Sequence, residues 1–169
     1  MRIQTRITGA ALLFSLLPAW AMADLPAPSG PVLLTVSGAI TRTNSEGTAE
    51  FDREMLERLP VTEFETSTIW TEGTHVFTGV SLADLLRYLG AEGAQIKASA
   101  LNDYVVTLPV TDAVPHGPII AYEMNGAAMR VRDKGPLWIV YPYDANADYR
   151  SEVIYSRSIW QLDRLHVGE

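Results

Sequence analysis

The segment SLADLLRYLG, residues 81–90, is the clearest helix in this chain, and the contrast with its surroundings limits the fold. Leu82, Leu85, Leu86 and Leu89 recur at i, i+3, i+4 and i+7, which places one apolar stripe on one helical face. Ser81 stands where an N-cap is needed, Asp84 lies in the first turn, and Gly90 suits the left-handed position that ends a helix. A second, shorter helix is predicted after Asp52, with Met55, Leu56 and Leu59 on one face and Pro60 as the stop.

Almost everything else reads as strand. VLLTVSGAI (32–40) is apolar and β-branched and runs into a turn at Asn44–Gly47. EFETSTIWTEG (63–73) alternates, with Phe64, Thr66, Thr68 and Trp70 predicted on one side. QIKASAL and YVVTLPV flank Asn102-Asp103, and PIIAYEM and AMRVR flank Asn125-Gly126, a strong short hairpin signal. LWIVYPY reads as a buried strand, and RSIWQLDRLHV as the closing one. Few helices, many strands and no regular βαβ alternation predict an α+β domain, a mixed β-rich unit with few short helices.

The N-terminus is of a different kind. Arg2 and Arg6 precede an apolar run from Ile7 to Leu17, Pro18 breaks it, and Ala21-Met22-Ala23 follows. That is the pattern of a secretory signal peptide, residues 1–23, and it predicts export to the periplasm. The run is too short for a bilayer core of about 30 Å, which needs about 20 residues. No later stretch is apolar enough to span. Residues 24–31 (DLPAPSGP) read as a flexible lead, and 32–169 as one domain.

Composition then removes whole classes of chemistry. The chain has no cysteine, so thiolate nucleophiles, thiolate metal ligands and redox pairs are excluded. Its formal net charge is −7, and the leader holds basic residues only, so the remainder is more acidic still. Nucleic acid is excluded as a partner, because neutralising phosphates needs a basic footprint. His75, His116 and His166 lack metal-ligand spacing. There is no G-x-S-x-G elbow and no phosphate-cradling glycine loop. The carboxylates from Glu46 to Glu65 mix with Arg53 and Arg58 and read as solvated surface.

What remains is an aromatic and basic group in the second half. Tyr104, Trp138, Tyr141, Tyr143, Tyr149, Tyr155 and Trp160 accompany Arg130, Arg132, Lys134, Arg150 and Arg157. On a strand, Arg130 and Arg132 would project together, as would Tyr141 and Tyr143. Such a group suits a planar anion, since guanidinium forks bind carboxylate or phosphate and aromatic faces stack. It equally suits a core of Trp and Tyr rimmed by arginines. Residue type alone leaves both open.

FTGVSLADLLRYLG, LNDYVVTLPV, IIAYEMNGAAMRVRDKGPLWIVYPYD and YSRSIWQLDRLHV, in this order, resemble the molybdopterin-binding domain of sulfite-oxidase-type oxidoreductases, in particular short exported bacterial single-domain relatives. The resemblance runs from about Val32 to Val167. It implies the mixed α+β fold in which the full enzymes hold the pyranopterin of the molybdenum cofactor. In those enzymes a cysteine shortly after the strand preceding the F-x-G-V-x-L segment binds molybdenum. Here that region offers Thr66, Ser67, Thr68 and Trp70. Molybdopterin is therefore the cofactor that the resemblance implies, with cysteine ligation of molybdenum excluded.

The expectation is a non-catalytic binding protein with no catalytic or metal-binding residue. Its cleft would be lined by Trp70, Asn102, Tyr104, Arg130, Arg132, Trp138, Tyr141, Arg150 and Arg157. The occupant would be a small anionic or aromatic ligand, or a partner such as a membrane sensor or another periplasmic protein. The alternative is a molybdenum oxidoreductase acting on a small oxoanion or sulfoxide without a cysteine ligand.

Overall fold

The computed structural model describes residues 25–169, so the leader, residues 1–23, lies outside the described residues. Among them, ten strands form two five-stranded sheets. The first contains β1 (Leu34–Gly38), β2 (Thr48–Phe51), β5 (Gln95–Ala100), β6 (Val105–Pro109) and β10 (Leu162–Gly168), in the order β2-β1-β10-β5-β6. Strands β1 and β10 pair in parallel, Thr35 opposite Arg164 and Val36 opposite Leu165, which joins the two ends of the domain. All its other pairings are antiparallel. Alternation carries the burial: Leu34 and Val36, Ile96 and Ala98, Val106 and Leu108 face the core, and their neighbours face outward.

The second sheet contains β3 (Val61–Ser67), β4 (Thr74–Ser81), β7 (Ile119–Met124), β8 (Ala127–Ala128) and β9 (Trp138–Val140), with β9 also pairing with β7. Residues Ile119 to Tyr122 and the whole of β9 are buried, as expected of strands covered on both faces. Strand β3 is an edge, and of its side chains only Thr66 is buried.

Helix α2 (Leu82–Leu89) buries the leucine stripe as its spacing predicts. Its N-terminus departs from expectation: the Ser81 side chain makes no cap bond, and Leu82 N–H donates instead to the Pro118 carbonyl at 3.0 Å. A backbone acceptor from the segment leading into β7 thus satisfies the first of the free N–H groups at this helix end. Gly90 closes the helix at φ +58°, and a Cβ there would lie 2.1 Å from Thr41 Oγ1.

Helix α1 (Arg53–Glu57) is capped as expected, with Asp52 Oδ1 accepting from Met55 N–H at 2.9 Å. The other oxygen of Asp52 corrects the expectation of a flexible lead. Oδ2 accepts from the backbone N–H groups of Ser29 (2.7 Å) and Gly30 (2.8 Å), while Leu25 is buried and Asn44 Nδ2 donates to the Pro26 carbonyl. Residues 25–31 are thus strapped to the domain. The donors on Asp52, Met55 first, hold its carboxyl at about 2, well below the usual range. Its stabilising contribution is therefore present above about pH 4 and lost as pH falls towards 2. Urea midpoints measured through that window should fall for the native protein and fall less steeply for Asp52→Asn. Parallel slopes would exclude this assignment.

Three strand expectations are corrected. EFETSTIWTEG leaves the sheet after Ser67, because Asp144 captures Ser67 N–H and Thr68 Oγ1 accepts from Trp70 N–H, turning Thr68 to Gly73 into a loop. The return strand after Asn125-Gly126, both at positive φ, lasts two residues only. Arg130 and Arg132 therefore do not share a strand face: Arg130 precedes and Arg132 lies within a 3₁₀ turn, Val131–Asp133, closed by Asp133 N–H and Gly135 N–H on the Arg130 carbonyl. Finally, Arg157 is not on the closing strand; it ends helix α3 (Glu152–Arg157), where Ser151 is the N-cap.

Candidate functional site

Trp70 is the centre of the site. The loop that carries it is anchored at its entrance, where Ser67 N–H and Oγ both donate to the Asp144 carboxylate, at 2.5 and 2.9 Å, and Asp144 N–H donates to Thr66 Oγ1. Those donors, the Ser67 backbone above all, hold the Asp144 carboxyl below its ordinary range, with Arg150 contributing by charge. Thr68 and Thr71 hydroxyls bond each other at 2.8 Å and stiffen the turn.

The Trp70 indole then meets four aromatic rings edge-on: Trp160 at 5.6 Å between centroids, Tyr155 at 5.8 Å, Trp138 at 5.9 Å and Tyr143 at 6.4 Å. Such tilted contacts are the favoured geometry for aromatic pairs. Trp138 and Tyr143 form the buried side of this group and Tyr155 and Trp160 its open side.

The open side borders a cavity of about 440 Å³ lined by Trp70, Asn102, Tyr104, Tyr155, Trp160 and Gln161, among others. One wall is the turn between β5 and β6, set by Asn102 Oδ1 accepting from Tyr104 N–H and by Asp103 at φ +62°. The other is α3 and the residues leading into β10. The lining is mainly apolar, and none of its residues carries a charge. Its volume falls in the range of about 300–1,000 Å³ usual for small-molecule sites.

The nine residues singled out from sequence do not converge. Trp70, Asn102 and Tyr104 line the cavity. Trp138 is fully buried behind Trp70 and Trp160 and supports them. Tyr141 and Arg157 belong to a separate network, where Tyr141 Oη donates to Asp112 at 2.7 Å and Arg157 Nη1 donates to the same carboxylate at 2.9 and 3.1 Å. Burial, then the bond to Asp112, pushes the Tyr141 phenol far above its ordinary value. Arg130 pairs with Asp133 in the 3₁₀ turn, Arg132 approaches the same carboxylate at 3.7 Å, and both are exposed, as is Arg150. Tyr155, Trp160 and Gln161 were not among the nine. Tyr155 and Trp160 carried a signal as members of the aromatic group, whereas Gln161 carried none.

The family described as oxidoreductase molybdopterin binding domain matches residues 41–147. This chain belongs to that family. The matched span contains Trp70, Asn102, Tyr104 and Trp138 and ends before Tyr155, Trp160 and Gln161, so one cavity wall lies inside the family's domain and the other beyond the match. No curated protein matches the chain.

The residues at hand do not fit the family's molybdenum cofactor. The chain has no cysteine, and the hydroxyls at the end of β3 and in the loop after it are already engaged: Thr66 with Ser67 and Asp144, Ser67 with Asp144, Thr68 with Thr71. Hydroxyls are also far weaker acids than thiols, so none of them takes the place of an anionic thiolate ligand without giving up a proton. Among the described residues no cluster of His, Asp and Glu could hold a metal. The cavity lining has no cation to receive a cofactor phosphate. Nor is any helix among the described residues long and apolar enough to cross a membrane.

Proposed function

We propose that this chain is an exported, non-catalytic binding module of the molybdopterin-binding family, in which the cleft receives an aromatic group instead of a metal cofactor. The observation that carries the reading is the uncharged cavity walled by Trp70, Tyr104, Tyr155 and Trp160, beside a loop whose hydroxyls are all engaged. Flat rings gain both area burial and edge-on contacts in such a site. The lining holds no carboxylate, imidazole or amine that would serve as a base beside its serine hydroxyls and phenols. Residues 1–23 would direct the chain to the periplasm and be removed there.

Two measurements test this. Titration of the full exported chain with indole in a calorimeter should give saturable binding heat, and Trp160→Ala should abolish it. Protein purified natively from the periplasm should begin at Asp24 and contain no stoichiometric molybdenum. The family match favours one other reading, a molybdenum oxidoreductase acting on a small oxoanion or sulfoxide. Molybdenum at one atom per chain, with a pterin signature after oxidation, would establish that reading and overturn ours.

A further inference from the structure

The surroundings of the cavity carry more information than its lining. Ten large apolar side chains are exposed among the described residues, and Ile69, Leu101, Tyr104, Val131, Val153 and Trp160 are among those in segments that build or adjoin the cavity. Tyr104 and Trp160 line the cavity itself. Ile69 and Leu101 are chain neighbours of lining residues, and Val153 lies one turn from Ser156 on α3. Val131 is tied to the lining by its carbonyl, which accepts from Gln161 Nε2 at 2.8 Å. A ligand small enough for the cavity would leave this apolar rim in water. Exposed patches of this kind mark surfaces that a macromolecule covers.

One side of the rim is basic. The turn Arg130 to Lys134 places three cations against a single carboxylate, Asp133, in a chain whose net charge is −7. Arg130 takes the close contact with Asp133, while Arg132 reaches it only at 3.7 Å and is largely exposed. Lys134 has no carboxylate partner among the described residues; its ammonium lies 4.7 Å from the centroid of the Trp160 ring. The turn is fixed to the cavity through Gln161, whose N–H donates to the Lys134 carbonyl at 3.1 Å. Both residues sit at positive φ, +72° for Lys134 and +54° for Gln161, a left-handed conformation disfavoured for side chains of either type. Strain of this kind persists where the surrounding structure imposes it, and it clusters at binding sites.

We infer that the cavity and its rim form a docking surface for a partner protein, which inserts one aromatic side chain into the cavity and sets acidic residues against Arg132 and Lys134. This rests on the aromatic-binding reading given above and names the occupant. Peptide recognition commonly pairs such an anchor pocket with charge complementarity at its edge. A bilayer is the poorer occupant, since membrane surfaces bind protruding apolar groups, not cavities, and anionic lipid repels an acidic protein.

The test is selection of a random twelve-residue peptide library on the full exported chain. The expected outcome is enrichment of peptides with one Trp, Tyr or Phe flanked by Asp or Glu. Their binding should be competed by indole, lost in Trp160→Ala, and weakened about tenfold by Arg132→Met with Lys134→Met at low salt, as expected for two rim charges. The double variant alters one exposed and one half-buried side chain at the surface, and its circular dichroism should match the native chain. No enrichment, enrichment without acidic residues, or binding indifferent to the double variant would overturn the docking inference while leaving indole binding, and with it the cavity reading, intact. Co-sedimentation with phosphatidylglycerol vesicles at the same protein concentration would also overturn it. Absence of saturable indole binding heat would overturn the cavity reading itself.

Discussion

Replacing Trp138 with alanine is expected to remove about 3–5 kcal/mol of stability, the cost of truncating a large aromatic side chain in a packed core. Trp138 is fully buried on β9, T-stacked on Phe77 at 5.4 Å and in edge contact with Trp70 and Trp160. A domain of this size has about 5–15 kcal/mol in total, so the variant should sit near its folding threshold. Urea unfolding followed by circular dichroism measures the loss. A companion variant separates packing from polarity. The indole Nε1 of Trp138 has no hydrogen-bond partner among the described residues, so Trp138→Phe loses no bond and should cost less than half as much. The functional effect should follow the structural one: with its backing gone, the Trp70 and Trp160 wall relaxes and indole binding weakens even in molecules that remain folded. A loss below about 1 kcal/mol for Trp138→Ala would mean that the aromatic group is not the packed unit described above.

The second large effect is expected at Asp112. This carboxylate ends a 3₁₀ turn (Val110–Asp112) and receives both the Tyr141 hydroxyl and the Arg157 guanidinium. Side-chain exposure is 14% for Asp112 and 23% for Arg157, so water replaces a lost partner poorly. Asp112→Ala leaves a largely buried cation and a buried phenol unpaired and should cost about 3–5 kcal/mol. The triple variant Asp112→Leu, Arg157→Met, Tyr141→Phe removes every polar member together and should recover most of that loss. Recovery of nothing would show that the network's value lies in shape and not in pairing. The same geometry has an alkaline signature. Because the Tyr141 phenol is held far above its ordinary value, the folded protein keeps a proton that the unfolded chain releases above about pH 10. Stability should therefore decline as pH rises past that point, and decline less in Tyr141→Phe.

These two residues show how sequence reading met its limit. Trp138 and Tyr141 were recognised as members of an aromatic strand, and both are buried on or beside β9. Assigning them to a ligand cleft required knowing what lies across from them, and neither lines the cavity. Arg157 was likewise recognised as a guanidinium suited to an anion, and its anion is the chain's own Asp112. The acid that satisfies it lies 45 residues earlier, at a position no spacing rule connects to it. Arg130 and Arg132 were misplaced for a local reason. The alternation of AMRVR reads as strand, but two backbone bonds to the Arg130 carbonyl, and Gly135 packed where a Cβ would lie 2.0 Å from the Met129 carbonyl, close the chain into a turn.

Short-range geometry and residue inventory are legible in the chain before it folds. The leucine stripe of α2, the Asp52 cap, the Asn125-Gly126 hairpin and the alternation of β1, β5 and β6 all follow from residues within a few positions of one another. The missing thiolate follows from counting. The tertiary structure alone decided which faces meet. Pairing β1 with β10 brings the two ends of the domain into one sheet, and the same closure carries Tyr155, Trp160 and Gln161 to Trp70 and to the turn at Asn102–Tyr104. Periodicity reports the side on which a residue lies; only long-range packing selects the partner on that side, and the cavity is made of such partners.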